Sequence, residues 1–254
     1  GDQFDIQQAF ITLPVGGGEL MFGKFATLHG AEVIESPANL NFSRSFLFGY
    51  AIPFTHTGVR YHYAFNDMLN GHIGVNNGWD NVTDSNTDKS VELQVGVSPI
   101  PMLSLSVAGM MGAEDTATGD SENRTLIDVV ATIKPMDKLS VVLNYDNGSQ
   151  DEAGGPGTDD AKWSGIAGYL NYVFTDKWSG TLRVESFDDA DAYRTGTEQK
   201  LTEATLTAQY MPWSNTIIRG ELRHDSSDED TFVDEDGVAD DKQDSVGVEF
   251  IYNF

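Results

Sequence analysis

The sequence predicts an all-β fold, a transmembrane antiparallel up-and-down β-barrel, as a single domain over residues 1–254. Three observations carry this prediction. Apolar and polar residues alternate with period two, the alternating segments are mostly about 10–12 residues long, and the connections between them are alternately short and long. A helical period is not evident, and no apolar run approaches the roughly 18 residues of a membrane helix.

The alternation defines thirteen strand candidates. In SVELQVGV (90–97) every second residue is Val or Leu, and in DSVGVEFIYNF (244–254) every second residue from Val246 onward is Val or aromatic. Such a pattern is typical of strands with one apolar and one polar face. The candidates cover about 3–14, 19–29, 50–65, 68–79, 89–99, 102–113, 123–134, 138–147, 162–175, 177–187, 200–211, 215–225 and 244–254.

The connections indicate a membrane barrel. The short ones are PVGGG, FND, PIPM, KPMDK, TDK and MPWSN, and the long ones are 30–49, 80–88, 114–122, 148–161, 188–199 and 226–243. Outer-membrane barrels have short periplasmic turns and longer extracellular loops. Aromatic residues near strand ends fit interfacial girdles: Trp163, Phe174, Trp178, Tyr210, Trp213, Tyr252 and Phe254.

Charge and composition exclude several function classes. The chain has 40 acidic and 15 basic residues, a net charge of -25, and no cysteine. This balance argues against nucleic-acid binding, and the lack of cysteine excludes thiolate metal sites and thiol nucleophiles. Neither HExxH nor GxSxG occurs, so we expect no enzymatic activity. We expect no cofactor beyond loose Ca²⁺ or Mg²⁺ at the acidic loop 228–241, where EF-hand spacing fails.

The polar face of the predicted strands carries charges of both signs, which would line a wet lumen. The predicted pore-lining residues are Lys24, Arg60, His62, Glu92, Asp128, Arg183, Glu185, Glu203, Arg219, Glu221, Arg223 and Glu249.

The connection 30–49 is unusually apolar for a long loop. It holds eight apolar side chains, among them three Phe, and only Glu32, Glu35 and Arg44 are charged. We therefore predict that it folds into the lumen and narrows the pore, where these three charges set a transverse field. A lid or an interface with a neighbouring subunit is the alternative.

Residues 23–60, GKFATLHGAEVIESPANLNFSRSFLFGYAIPFTHTGVR, resemble the signature stretch of the OmpL-like β-barrel porins of Gram-negative outer membranes. The terminal VGVEFIYNF resembles the C-terminal signal of outer-membrane barrels. The resemblance implies a barrel that passively admits small hydrophilic solutes and has no catalytic residues. It also implies contact with outer-membrane lipid and lipopolysaccharide; a homo-oligomer or an envelope partner protein fits the same setting.

The strand count raises one further expectation. Thirteen is odd, whereas bacterial single-chain barrels have even numbers of strands. We therefore expect that the visible strands belong to a barrel of 14–16 strands and that the chain lacks N-terminal strands, unless one strand is misassigned.

The sequence thus favours an outer-membrane porin with a modest preference for cations, because the long loops are acidic. One alternative is a structural sleeve that anchors or houses a partner, such as an electron-transfer protein, without free conduction. A second is a soluble β-sandwich or adhesin, in which the apolar faces would meet in a core.

Overall fold

The computed structural model describes residues 5–116 and 118–254, and its main element is one antiparallel sheet of thirteen strands. Each strand pairs with the next along the sheet, which confirms the predicted all-β, up-and-down architecture. The strands of the sheet are β1 (Ala9–Val15), β2 (Gly18–Ala26), β3 (Thr55–Asn66), β4 (Leu69–Asn76), β5 (Ser90–Ile100), β6 (Leu103–Asp115), β7 (Ser121–Met136), β8 (Leu139–Gln150), β9 (Ala161–Thr175), β10 (Trp178–Asp189), β11 (Gln199–Tyr210), β12 (Thr216–Ser227) and β15 (Lys242–Tyr252). Between β12 and β15, β13 (Phe232–Val233) and β14 (Ala239–Asp240) form a separate small hairpin.

The strand bounds agree with the predicted ones to within three residues except near the N-terminus. β3 begins at Thr55 rather than at residue 50, because Leu47–Ala51 form a π-helical turn. The first predicted strand, 3–14, begins at Ala9, and residues 1–4 lie outside the described part of the chain. The sequence did not indicate the β13–β14 hairpin, since two-residue strands show no alternation.

The outer face of the sheet is apolar and exposed. Leu182, Leu206 and Leu222 lie side by side on β10, β11 and β12, and Val246 continues this row on β15. Leu222 is 57% exposed and Val246 78%. A two-layer sandwich would bury such a row, so the sandwich alternative is wrong; a face of this kind is suited to lipid. Within the described residues, no helix is long and apolar enough to cross a membrane.

The sheet curls until its two edges approach each other. Gln8, just before β1, donates a hydrogen bond from Nε2 to Glu35 Oε1 (2.7 Å). The next residue, Ser36, donates from Oγ to Glu249 Oε1 of β15 (2.6 Å). In a flat sheet twelve strand spacings would separate the edges by roughly 58 Å. Two consecutive loop residues can therefore reach both edges only because the sheet is rolled into a barrel wall.

Candidate functional site

The long connection between β2 and β3, residues 27–54, lies against the inner face of the sheet, and we call it the inner loop. Gly30 lies at its start with φ +86°, and a Cβ there would stand 2.5 Å from Ile52 Cδ1, so a side chain does not fit. At its end, Asp80 of the β4–β5 loop accepts hydrogen bonds from the backbone N–H groups of Phe54 (2.7 Å) and Thr55 (2.8 Å). Burial raises the pKa of Asp80, and these two hydrogen bonds oppose that shift.

The apolar part of the inner loop packs on the wall and forms the core of the protein. The π-helical turn inserts Leu47 beside Gly165 of β9, where a Cβ would stand 2.6 Å from Leu47 Cδ1. Trp163 Nε1 donates a hydrogen bond to the carbonyl of Ala51 (3.0 Å). The buried cluster consists of Phe46, Leu47, Ala51, Ile52, Met110, Leu126, Trp163, Ala167, Tyr169, Phe187 and Leu201.

Arg183 of β10 joins the inner loop to the wall. Its Nη1 donates to Glu32 Oε1 (2.7 Å) and to the carbonyl of Ser43 (2.8 Å), and its Nε donates to Glu203 Oε1 of β11 (2.6 Å). Arg183 and Glu203 are both inaccessible to solvent at their side chains. Removing one partner of such a pair strongly destabilises the protein, because the other charge stays buried without a partner.

Arg219 of β12 makes a second junction. Its Nη2 donates to the carbonyl of Asn39 (2.6 Å), and its Nη1 donates to the carbonyl of Ser36 (3.0 Å) and to Glu249 Oε2 (2.9 Å). Arg223, further along β12, donates from Nη1 to the carbonyl of Arg44 (2.6 Å). Loop carbonyls that would otherwise be unsatisfied are thus paired with guanidinium groups.

Two glutamates of the wall bind loop N–H groups. Glu185 accepts from the backbone N of Phe46 (2.6 Å) and of Leu47 (3.1 Å). Glu221 accepts from the backbone N of Phe42 (2.8 Å), and its other oxygen accepts from Ser43 (3.0 Å). Donors and acceptors of the inner loop are therefore both matched by side chains of β10–β12.

The three charges predicted to set a transverse field have different surroundings. Glu32 is buried and paired with Arg183, whereas Glu35 is exposed and bonded to Gln8. Arg44 donates to the carbonyls of the inner loop itself, at residues 33, 34 and 42. Burial lowers the pKa of Arg44, although the guanidinium stays charged at neutral pH. Within the described part of the chain, Glu35 and Arg44 are thus the two predicted loop charges that form no salt bridge with the wall.

Most of the residues predicted to line the pore are buried beneath the inner loop or paired with one another. Arg60 Nε and Nη2 donate to the two oxygens of Glu92 (2.7 and 2.9 Å), and Asn144 Nδ2 donates to Asp128 Oδ2 (2.8 Å). The buried members of the predicted set are Arg60, Glu92, Asp128, Arg183, Glu185, Glu203, Arg219 and Glu221. The half-buried members are His62, Arg223 and Glu249.

Lys24 differs from its prediction. It lies opposite Thr57 in the β2–β3 register, on the face shared with Val59, while His62 lies opposite Glu19 on the other face. Directly opposed residues of an antiparallel pair share a face, so Lys24 does not point with Arg60 and His62. Its amine instead pairs with Asp5 (3.0 Å) near the rim.

A cluster of arginine and aromatic side chains lies at the long-loop end and was not predicted. Trp163, expected in an interfacial girdle, is 1% exposed and stacks on Tyr193. Arg124 and Arg194 both lie over Trp79, at 5.2 and 5.0 Å from its centroid. Burial, and to a smaller extent the positive charge of Arg124, lowers the pKa of Arg194 to about 10, so Arg194 stays charged at neutral pH. The sequence held one indication of this cluster: in the alternating pattern of β9, Trp163 occupies a position whose side chain points to the inner face.

Among residues 5–116 and 118–254, no group of three or more His, Asp or Glu side chains is arranged to hold a metal ion. The loose Ca²⁺ or Mg²⁺ association expected at 228–241 stays a prediction.

Comparison with known proteins places the chain among porins. The family described as "Putative beta-barrel porin-2, OmpL-like" matches residues 1–254. Solved structures with a similar fold include the outer membrane channel DcaP of Acinetobacter baumannii (TM-score 0.67, 13% identity, 96% of this chain and 83% of that chain). OmpT of Vibrio cholerae in a trimer form has a TM-score of 0.72 at 16% identity, over 99% of this chain and 81% of that chain. An anion-selective porin from Comamonas acidovorans has a TM-score of 0.70 at 14% identity, over 96% and 77%. Among curated protein sequences, none matches the chain.

Proposed function

The chain belongs to the OmpL-like β-barrel porin family of bacterial outer membranes, and on that premise we propose a passive, water-filled passage for small hydrophilic solutes and ions, with no chemical step. The observation that carries the proposal is the inner loop, which crosses the inner face and is hydrogen-bonded to β10, β11, β12 and β15. A loop fixed in this way narrows the passage permanently. No gate has to move, so no energy is needed to open the passage. The expected range of the constriction, 30–49, lies inside this loop.

Small solutes are the substrate class that such a constriction admits. The loop is held at many points, so the passage has a defined width and excludes large molecules. Glu35 and Arg44 form no salt bridge with the described residues of the wall and stand at the loop surface, and we propose that they supply the local field. Outer-membrane lipid contacts the apolar outer face.

We propose a modest preference for cations. Around the inner loop the arginines are Arg44, Arg60, Arg183, Arg194, Arg219 and Arg223, while the acids are Glu32, Glu35, Asp80, Glu92, Asp128, Asp146, Glu185, Glu203, Glu221, Asp225 and Glu249. Acids therefore outnumber arginines inside, and the long loops add further negative charge. An excess of one sign in a confined channel concentrates counter-ions.

Planar-bilayer recording tests the proposal. In ~1 M salt, replacing residues 32–46 by a short Gly-Ser linker should raise the single-channel conductance. The same replacement of 229–240, which lies outside the inner loop and whose charges are screened at that concentration, should leave it unchanged. A salt gradient should give a reversal potential of the cation-selective sign. Unchanged conductance after the first replacement would remove the constriction, and absence of conductance in the unaltered protein would favour the structural sleeve.

A homo-oligomer is part of the proposal. The solved OmpT structure is a trimer form. The continuous apolar outer face of this chain allows the same association within a membrane, and cross-linking in detergent followed by mass determination tests it.

A further inference from the structure

Two histidines face each other across β3 and β4 on the inner face of the sheet. His62 and His72 are directly opposed in the register, and their rings stack with centroids 4.4 Å apart. Both side chains are half-buried, and His62 and Glu19 border a recess of about 570 Å³ next to the β1–β2 turn. His62 thus faces an open recess, and His72 stacks directly on it.

One ring nitrogen of the pair has no hydrogen-bond partner among the described residues. His72 Nδ1 is buried without a hydrogen-bond partner among residues 5–116 and 118–254. The neighbouring Gln94, opposite His72 on β5, uses its amide to donate to Ser106 Oγ (2.8 Å) and to the carbonyl of Leu28 (3.3 Å). A buried ring nitrogen costs free energy unless something binds its lone pair.

The structure assigns to His62 and His72 a binding site for a borderline divalent transition metal such as Ni²⁺, Zn²⁺ or Cu²⁺, on the wall of the passage. Two metal–nitrogen bonds of about 2.0–2.1 Å span nitrogens roughly 3–4 Å apart, so on binding the stacked rings rotate until a lone pair of each points at the ion. The two imidazoles are the protein ligands, and water completes the coordination. Imidazole suits these metals and not Mg²⁺ or Ca²⁺, which take oxygen ligands.

The other adjacent histidines are a weaker candidate. His29 and His56 lie with ring centroids 6.4 Å apart, but both are closed off from solvent. The hydroxyl of Thr27 hydrogen-bonds to a ring nitrogen of each. Burial lowers the pKa of His29 to about 3, so it is a neutral core group rather than an accessible ligand.

Calorimetric titration of the detergent-solubilised protein with NiCl₂ tests the site. The unaltered chain should bind one Ni²⁺, and His62→Gln and His72→Gln should each weaken binding by at least about tenfold, since loss of even an outer-shell partner costs ~10–100-fold. His224→Gln is the matched control, because His224 is an exposed histidine on the opposite face of β12 next to Asp244. MgCl₂ serves as the probe for the acidic loops and should bind equally to all four proteins.

Lack of Ni²⁺ binding by the unaltered chain, or equal binding by both variants, would overturn the site. Circular dichroism of the variants identifies any failure to fold, and the double variant His62→Asn, His72→Asn then repeats the test with shorter side chains. The conductance readout rests on the proposed function: Ni²⁺ should lower single-channel conductance reversibly with EDTA. Binding without any channel current would uphold the site and count against the porin proposal, so the two fail separately.

Discussion

Arg183→Met should release the inner loop from the wall. The guanidinium is buried and forms ion pairs with Glu32 of the loop and Glu203 of β11. Methionine fills much of the volume but leaves Glu32 buried without an ion-pair partner among the described residues, while Glu203 keeps only its longer ion pair with Arg223 (3.6 Å). Removing one partner of a buried ion pair typically costs about 3–5 kcal/mol. Because the loop can leave the wall while the strands stay paired, we expect most of this cost to appear as loop undocking.

The expected size of the effect follows from that range. At about 1.4 kcal/mol per factor of ten, a loss of about 3–5 kcal/mol raises the undocked fraction roughly 140- to 4,000-fold. Glu32→Gln in the Arg183→Met background should recover part of the loss, since a neutral amide replaces the carboxylate that lost its ion pair.

Cysteine labelling measures the undocked fraction directly. The chain has no cysteine, and Ser45, which is 4% exposed, can be replaced by the near-isosteric Cys as a single reporter. When docking is fast relative to labelling, the maleimide rate is proportional to the undocked fraction. The rate should rise by the factor above in the Arg183→Met reporter protein, and the single-channel conductance should become larger and noisier.

Arg124→Met is the matched control. Arg124 is also a partly buried arginine of the inner face, but it bonds to Gln150 and Tyr193 rather than to the inner loop. It should change the labelling rate by less than tenfold. A labelling rate that is the same in Arg183→Met and in the parent reporter would refute the role of Arg183 as the attachment of the loop.

Three further perturbations act on the same loop or on its surroundings. Glu185→Ala removes the acceptor of the Phe46 and Leu47 N–H groups, which should cost ~1–3 kcal/mol and speed labelling of the same reporter; an unchanged rate would show that water replaces the carboxylate. Gly165→Val adds atoms where Leu47 packs, and this overpacking should cost about 1–3 kcal/mol and undock the loop. Gly168→Val on the same strand, where a Cβ makes only ordinary contacts, should leave the loop docked. Equal labelling rates in the two variants would contradict this packing. Replacing all acids of 228–241 by Asn or Gln should reduce cation preference in ~0.1 M salt and hardly change it in ~1 M salt, because the Debye length falls from about 10 to 3 Å. If the variant and the unaltered protein have equal reversal potentials at both concentrations, the loop has no part in selectivity.

The wall could be predicted from the sequence because each strand carries its own period-two pattern. In β12, alternation of Ile218, Gly220 and Leu222 with the charged residues fixes both the strand and its faces locally. The failure at Lys24 has the same origin. In GELMFGKFA the apolar residues do not alternate, so the sequence does not show which residues of β2 face inward. The pairing with β3 determines this.

The inner loop could be located from the sequence but its attachments could not. Its apolar composition, conspicuous in an acidic chain, indicated burial. Its partners lie more than a hundred residues away, as with Glu185 and Phe46 or Arg219 and Asn39. Such pairs depend on how far the sheet curls, and that property belongs to the whole barrel. The prediction that Arg183 and Glu185 line open water therefore could not foresee that the loop covers them.

The position of the core couples pore width to stability. The sheet presents most of its apolar side chains outward, and the few that face inward, such as Trp163 and Phe187, lie on a largely polar inner face. The strands alone therefore do not enclose an apolar core. The inner loop supplies one by packing Leu47 and Ile52 against Trp163 and Phe187. A mutation that withdraws the loop widens the passage and removes this core in the same step. Variants selected for larger solutes should therefore lose thermal stability, unless the loop is shortened while residues 46–52 stay in place.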